Sequence, residues 1–154
     1  MRSSIVDQLQ TLSCISSHSH LVAEEVRLAA SYDPIDFLLN SDVYLVADLQ
    51  SAGLTDQVAQ HCVDLSVPLP QRWATLAPYW EQVRFTGFAQ CCRLAFAELF
   101  DIGELTAETI CLLGEKLNDW IRPGTYQPFL HDTCRVKQCV LNMEDLERVE
   151  NHAA

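Results

Sequence analysis

Basic residues are scarce in this chain: ten Lys and Arg stand against twenty-one Asp and Glu, a formal net charge of −11 at pH 7. No basic cluster interrupts that excess, so the surface repels phosphate backbones and anionic lipid, and neither nucleic acid nor a membrane is an expected partner. Long apolar runs are missing too. No stretch approaches the roughly 18 apolar residues that would cross a bilayer. The opening run Met1–Gln8 lacks the apolar core of a secretory signal. Cys-x-x-Cys pairs are absent: the seven cysteines, at 14, 62, 91, 92, 111, 134 and 139, make an odd set without that spacing. Such usage suits a reducing, cytoplasmic setting in which buried Cys acts as a small hydrophobe. Cys91 and Cys92 are a poor redox or metal pair, because adjacent helical side chains point about 100° apart. Internal repeats and low-complexity linkers are also lacking.

What is present is ordinary globular composition, 49% hydrophobic and 20% charged over 154 residues, which is one domain's worth of chain. Residues 13–20 read as a strand. Helical pattern then dominates from 24 to 132. Asp33 can cap a helix whose first position is Pro34, with Ile35, Leu38 and Leu39 on one face. Ser41 can cap a second helix that Gly53 closes, and Thr55-Asp56 opens a third containing Val58, Cys62 and Leu65. Val67–Pro70 reads as a rigid connector. From Pro78 to Phe100 the spacing of Val83, Gly87, Cys91, Leu94, Ala95 and Leu99 predicts one continuous amphipathic helix, ended by Asp101-Ile102-Gly103. Thr106 caps the next, which carries Ile110, Leu113 and Leu117 and stops before Pro123-Gly124. Pro128 opens a last short turn. Residues 134–141 then read as a second strand, and 144–151 as the start of a charged helix.

His18-Ser19-His20, at the end of the first strand, is the sharpest chemical signal. Side chains on a strand repeat every two residues, so both imidazoles project from one face. Neutral imidazole nitrogens bind zinc and similar divalent metals at about 2.0–2.1 Å, so the pair can grip one ion with little rearrangement. The same spacing also fits a polar turn that happens to hold two His. His61, His131 and His152 fit surface or helix-end positions and carry no assigned role.

Ser17-His18-Ser19-His20-Leu21 resembles the first barrel strand of the amidohydrolase superfamily, in the branch of amidohydrolase-2-type proteins and uronate isomerase. In that branch a long helical insertion follows the first strand. The likeness continues, in order, through Asp48–Leu54, Arg72-Trp73, Ala77–Glu81, Arg84 with Thr86-Gly87-Phe88, Arg93–Ala95 and Glu98–Ile102, and Cys134-Arg135-Val136 resembles entry into the second strand. The resemblance implies an α/β fold of (β/α)8 TIM-barrel type with a divalent metal, zinc above all, at the C-terminal ends of its strands. It places His18 and His20 among the ligands, with further His and a catalytic Asp on later strands. It also sets the helical insertion over the site, where Tyr79 and Arg84 could meet a small-molecule substrate, Arg84 through a bidentate grip on a carboxylate. The alternative at these positions is that Tyr79 and Trp80 pack the helical core and Arg84 pairs with an acid such as Glu81.

Such a barrel takes about 250 residues. Only two of its eight strands are legible, so residues 1–154 are expected to be a single partial domain. The implied function is that of the N-terminal part of a metal-dependent hydrolase acting on a small carboxylate or amide-like substrate, inactive on its own. Two alternatives stand beside it. One is the corresponding part of a uronate-isomerase-type sugar-acid isomerase. The other is a non-catalytic helical interaction module in which the two His are incidental.

Overall fold

Asp33 begins the helical part of the molecule as its local chemistry requires. Its carboxylate Oδ1 accepts the amides of Ile35 (3.0 Å) and Asp36 (3.1 Å), two donors that the first helical turn leaves without partners. The computed structural model describes residues 4–9, 11–30, 32–40 and 43–141. The elements run α1 (Ile5–Leu9), β1 (Cys14–Ser19), α2 (Glu24–Ala29), α3 (Pro34–Asn40), α4 (Val43–Ser51), α5 (Asp56–Val63), α6 (Leu69–Val83), α7 (Gly87–Phe100), α8 (Ala107–Trp120), α9 (Tyr126–Pro128), one π turn (Phe129–Thr133) and β2 (Val136–Leu141). The class is therefore α/β, mostly helical with two short strands, as the sequence led one to expect. Among the described residues, no helix is long and apolar enough to cross a membrane. The expected charged helix at 144–151, the cap at Ser41 and His152 lie outside the described residues.

The chain forms two compact units, Ser31–Trp120 and Met1–Ala30 with Ile121–Ala154. In the helical unit α6 packs against α4, α5 and α8, and α3 against α4, α5 and α8. Every buried hydrophobic residue among those described lies between Ile35 and Leu117, and α6 contributes Trp73, Leu76, Trp80 and Val83. Helix ends follow the expected chemistry at several points. Thr55 accepts the Val58 amide at 3.3 Å, and Thr106 accepts those of Glu108 and Thr109, both at 3.2 Å. Gly53 takes φ +100°, where an L side chain would be strained, and so closes α4. At Gly114 a Cβ would stand 3.4 Å from Pro34 Cδ, an ordinary contact distance, so α8 and α3 pack closely there.

The expected continuous helix from 78 to 100 is instead two. Thr86 is extended (φ −68°, ψ 163°) and starts α7 anew, with Gly87, a poor helix former, behind it. The break resets the helical phase. Ala89, Phe96 and Phe100 are buried, while Cys91, Leu94 and Ala95 of the expected face are exposed. The connector at Val67–Pro70 is also shorter than expected, because Leu69 and Pro70 already belong to the first turn of α6, where the missing proline N–H costs nothing.

In the other unit β1 and β2 pair in parallel, Cys14 opposite Val136, Ile15 opposite Gln138, Ser16 opposite Cys139 and Ser19 opposite Leu141. Both strands fall within their expected spans. The unit is held largely by polar contacts. Arg27, only 5% exposed, donates to Glu24 (3.2 Å) and to the Arg122 carbonyl (3.1 Å), while Glu24 also accepts the Gly124 amide at 2.9 Å. This ties α2 to the 122–125 turn. Ile15 and Val140 remain 63% and 56% exposed, as expected of a two-stranded sheet with no hydrophobic layer of its own.

Candidate metal-binding histidine pair

The register of β1 against β2 is irregular between Ser16 and Ser19, and this shapes the strand's end. The Ser16 hydroxyl donates to the His18 carbonyl at 3.2 Å and lies 2.5 Å from Ser19 Oγ. Its one proton goes to the carbonyl, so Ser19 donates to Ser16. These local bonds hold the backbone on either side of His18. The two imidazoles converge: their centroids are 4.7 Å apart, with planes at 70°. His18 Nε2 and His20 Nε2 approach to 2.9 Å, with one ring nitrogen protonated and donating to the other.

Two nitrogens that each bind an ion at about 2.05 Å stand about 2.9 Å apart at a right-angled bite and about 3.3 Å apart at a tetrahedral one. The observed Nε2–Nε2 distance of 2.9 Å therefore already lies at the metal-binding scale. Both side chains are exposed, so solvent ions reach them directly. Among the described residues no group of three or more His, Cys, Asp or Glu side chains is placed to hold an ion. The pair is a two-donor grip. It fits a divalent metal in donor type, spacing and access, and further donors would complete a tight site.

The other site residues predicted from the sequence belong to the helical unit. Arg84 Nε faces Glu81 at 3.1 Å, its Nη1 donates to Glu104 at 3.1 Å, and Arg93 pairs with the same Glu104. Both guanidinium groups also stand over the Phe85 ring, at 4.6 and 5.1 Å. A substrate carboxylate would have to displace two acids to reach Arg84. Tyr79 is half-buried and packs against the core beside fully buried Trp80. His61 is exposed on α5, and His131 is exposed and pairs with Asp132 at 2.9 Å.

Sequence reasoning passed over one strongly organised polar site. Arg72, 4% exposed, donates to both carboxylate oxygens of Asp33 (2.9 and 2.7 Å) and to the carbonyls of Val67 (2.9 Å) and Cys62 (3.1 Å). Burial by itself would raise the Asp33 pKa. The hydrogen bonds from Arg72 and from the Asp36 and Ile35 amides, with the Arg72 charge, outweigh it and hold the carboxyl below its usual range. The same hydrogen bond raises the Arg72 pKa, and burial raises that of Cys62. Asp33 borders a cleft of about 400 Å³ with Tyr32, Leu65 and Asn118, but its oxygens are already engaged.

Comparison with protein-family models, with curated proteins and with solved structures finds no match to this chain.

Proposed function

We propose that the chain is the N-terminal, metal-gripping part of an amidohydrolase-type enzyme, a hydrolase of small carboxylate or amide-like substrates on a (β/α)8 barrel. The observation that carries this reading is the convergence of His18 Nε2 and His20 Nε2 to 2.9 Å at the C-terminal end of a strand that pairs in parallel with β2. Ligands at the C-terminal ends of parallel strands are where a barrel enzyme keeps its chemistry. The residues that would hold the metal are His18 and His20. A bound divalent ion would lower the pKa of a coordinated water and polarise the bond under attack. With two donors only among the described residues, the ion is bound weakly and activity is little or none; further strands would supply the remaining ligands and the catalytic acid. A uronate-isomerase-type chemistry would use the same pair.

A non-catalytic helical module is the second reading. It is favoured by one observation, that the buried hydrophobic core among the described residues falls wholly within the helical unit.

Titration of the full chain with Zn²⁺, followed through imidazole NMR signals, separates the two. The expected result is that His18 and His20 respond together at lower Zn²⁺ than His61 and His131, and that His18→Ala removes the response of His20. A response spread evenly over all the histidines, or none, would leave the helical module as the better reading.

A further inference from the structure

Cys14 opens β1, and Cys134 stands two residues ahead of β2. They are 120 positions apart in sequence, yet the parallel pairing brings them to one edge of the sheet. The Cys14 amide donates to the Arg135 carbonyl at 2.9 Å, and Cys14 Sγ lies 3.7 Å from the Cys134 carbonyl oxygen. Both residues are exposed and both thiols are free. Burial raises the Cys134 pKa, and the neighbouring Cys14 adds to that rise.

The other cysteines are placed differently. Cys62 is fully buried, and Cys111 is half-buried and bonded to the Ala107 carbonyl. Cys91 and Cys92 are adjacent on α7, and Cys139 pairs with Ser16 further along the sheet.

We propose that Cys14 and Cys134 form a reversible disulfide site, oxidised by low-molecular-weight disulfides of the glutathione class. The Cys14 thiolate attacks one sulfur of the small disulfide. A mixed disulfide forms on Cys14 and one small thiolate leaves. The Cys134 thiolate then attacks the Cys14 sulfur, the protein S–S bond forms and the second small thiolate leaves. The two protein thiols lose two protons and two electrons, and the small disulfide takes up both. Cys134 acts as the resolving partner, because its backbone lies beside Cys14 Sγ and attack within the sheet needs no diffusion. The bond ties the start of β1 to the entrance of β2, at the opposite end of β1 from the His18–His20 pair. Oxidation thereby locks a strand pairing that the sheet holds only weakly when reduced.

The test titrates the full chain with oxidised glutathione, quenches in acid, alkylates the remaining thiols and maps the peptides by mass spectrometry. The expected dominant product is a Cys14–Cys134 linked peptide that disappears on reduction. Cys134→Ser should leave glutathione trapped on Cys14, whereas Cys14→Ser, which removes the attacking thiol, should leave Cys134 largely unmodified. The wild-type map stands even if either variant folds poorly. Persistent separate glutathione adducts on the wild-type pair, a dominant link to another cysteine, or no modification of either residue would overturn the proposal.

Discussion

Arg72 grips Asp33 through both terminal nitrogens, at 2.9 and 2.7 Å, and thereby joins the start of α6 to the start of α3 across 39 positions of sequence. Asp33 serves two masters: the same oxygen that takes Arg72 Nη1 also caps α3. Arg72 in turn satisfies the Val67 and Cys62 carbonyls, so four acceptor oxygens depend on one buried guanidinium.

Removing one member of such a pair leaves the other as an uncompensated charge, which is where the large costs of buried ion pairs arise. Arg72→Met is therefore expected to lower stability in urea unfolding by about 3 kcal/mol. The double variant Arg72→Met with Asp33→Asn should lose less than the sum of the two single changes, since neither charge is then stranded. Strict additivity would show that the two residues do not act together.

Acid should find the same weakness. The folded pKa of Asp33 lies below its unfolded value, so its contribution is fully present above about pH 4 and is lost as pH falls through the depressed folded value. Stability of the wild-type chain should drop on acidification through this window more steeply than that of Asp33→Asn. Parallel curves for the two proteins, measured by denaturant unfolding from pH 6 to pH 3, would remove Asp33 as the cause.

Glu104 makes a contrasting prediction. It pairs with Arg84 and Arg93, but its side chain is 49% exposed, so water and salt screen both interactions. Glu104→Gln should cost no more than about 1 kcal/mol, and raising salt should shrink the difference. Thermal unfolding at low and high ionic strength checks both. A loss as large as that from Arg72→Met would show that burial does not set the strength of these pairs.

The sequence was legible where the signal is local. Asp33, Thr55 and Thr106 cap the helices they were expected to cap, because an N-cap needs only its own side chain and the amides two or three residues on. Gly53 adopts its positive φ, and the two-residue period puts His18 and His20 on one side of a strand end. The Ser4–Asp7 box that caps α1 was equally local and could have been read: Ser4 and Asp7 exchange backbone-to-side-chain bonds at 2.8 and 3.1 Å. What failed depends on distant packing or on phase. A heptad-like count across Thr86 assumes an unbroken helix, and one extended residue there shifts the phase: Cys91, Leu94 and Ala95 fall outside the core, while Leu99 still packs against it. The end of α7, by contrast, falls where Asp101-Ile102-Gly103 was expected to put it: Asp101 takes the left-handed conformation (φ 56°), and Lys116 of α8 donates to the Phe100 carbonyl beside it. Arg72 was invisible as the partner of Asp33 because nothing local to either residue names the other.

The distribution of the core leads to the broadest prediction. Helices shorter than about 12 residues are marginal in water by themselves, so α3, α4 and α5 persist only because tertiary packing holds them. That packing lies entirely inside the helical unit: Ile35, Leu38, Leu45 and Leu49 are fully buried together with Leu76, Ile110 and Leu113. Its buried ion pair, Arg72–Asp33, is internal as well. Residues 31–120 alone should therefore fold cooperatively, with a single urea transition and near-native helical circular dichroism. The strand unit has no comparable apolar interior among its described residues, and two strands seldom make a stable sheet unaided. In the full chain, amide exchange should accordingly be slow in α6 and α8 and much faster in β1 and β2. Equal protection of the strands and of α6 would mean that the sheet is stabilised by contacts beyond its own polar bonds. A 31–120 fragment without a cooperative transition would mean that the helical core depends on the rest of the chain.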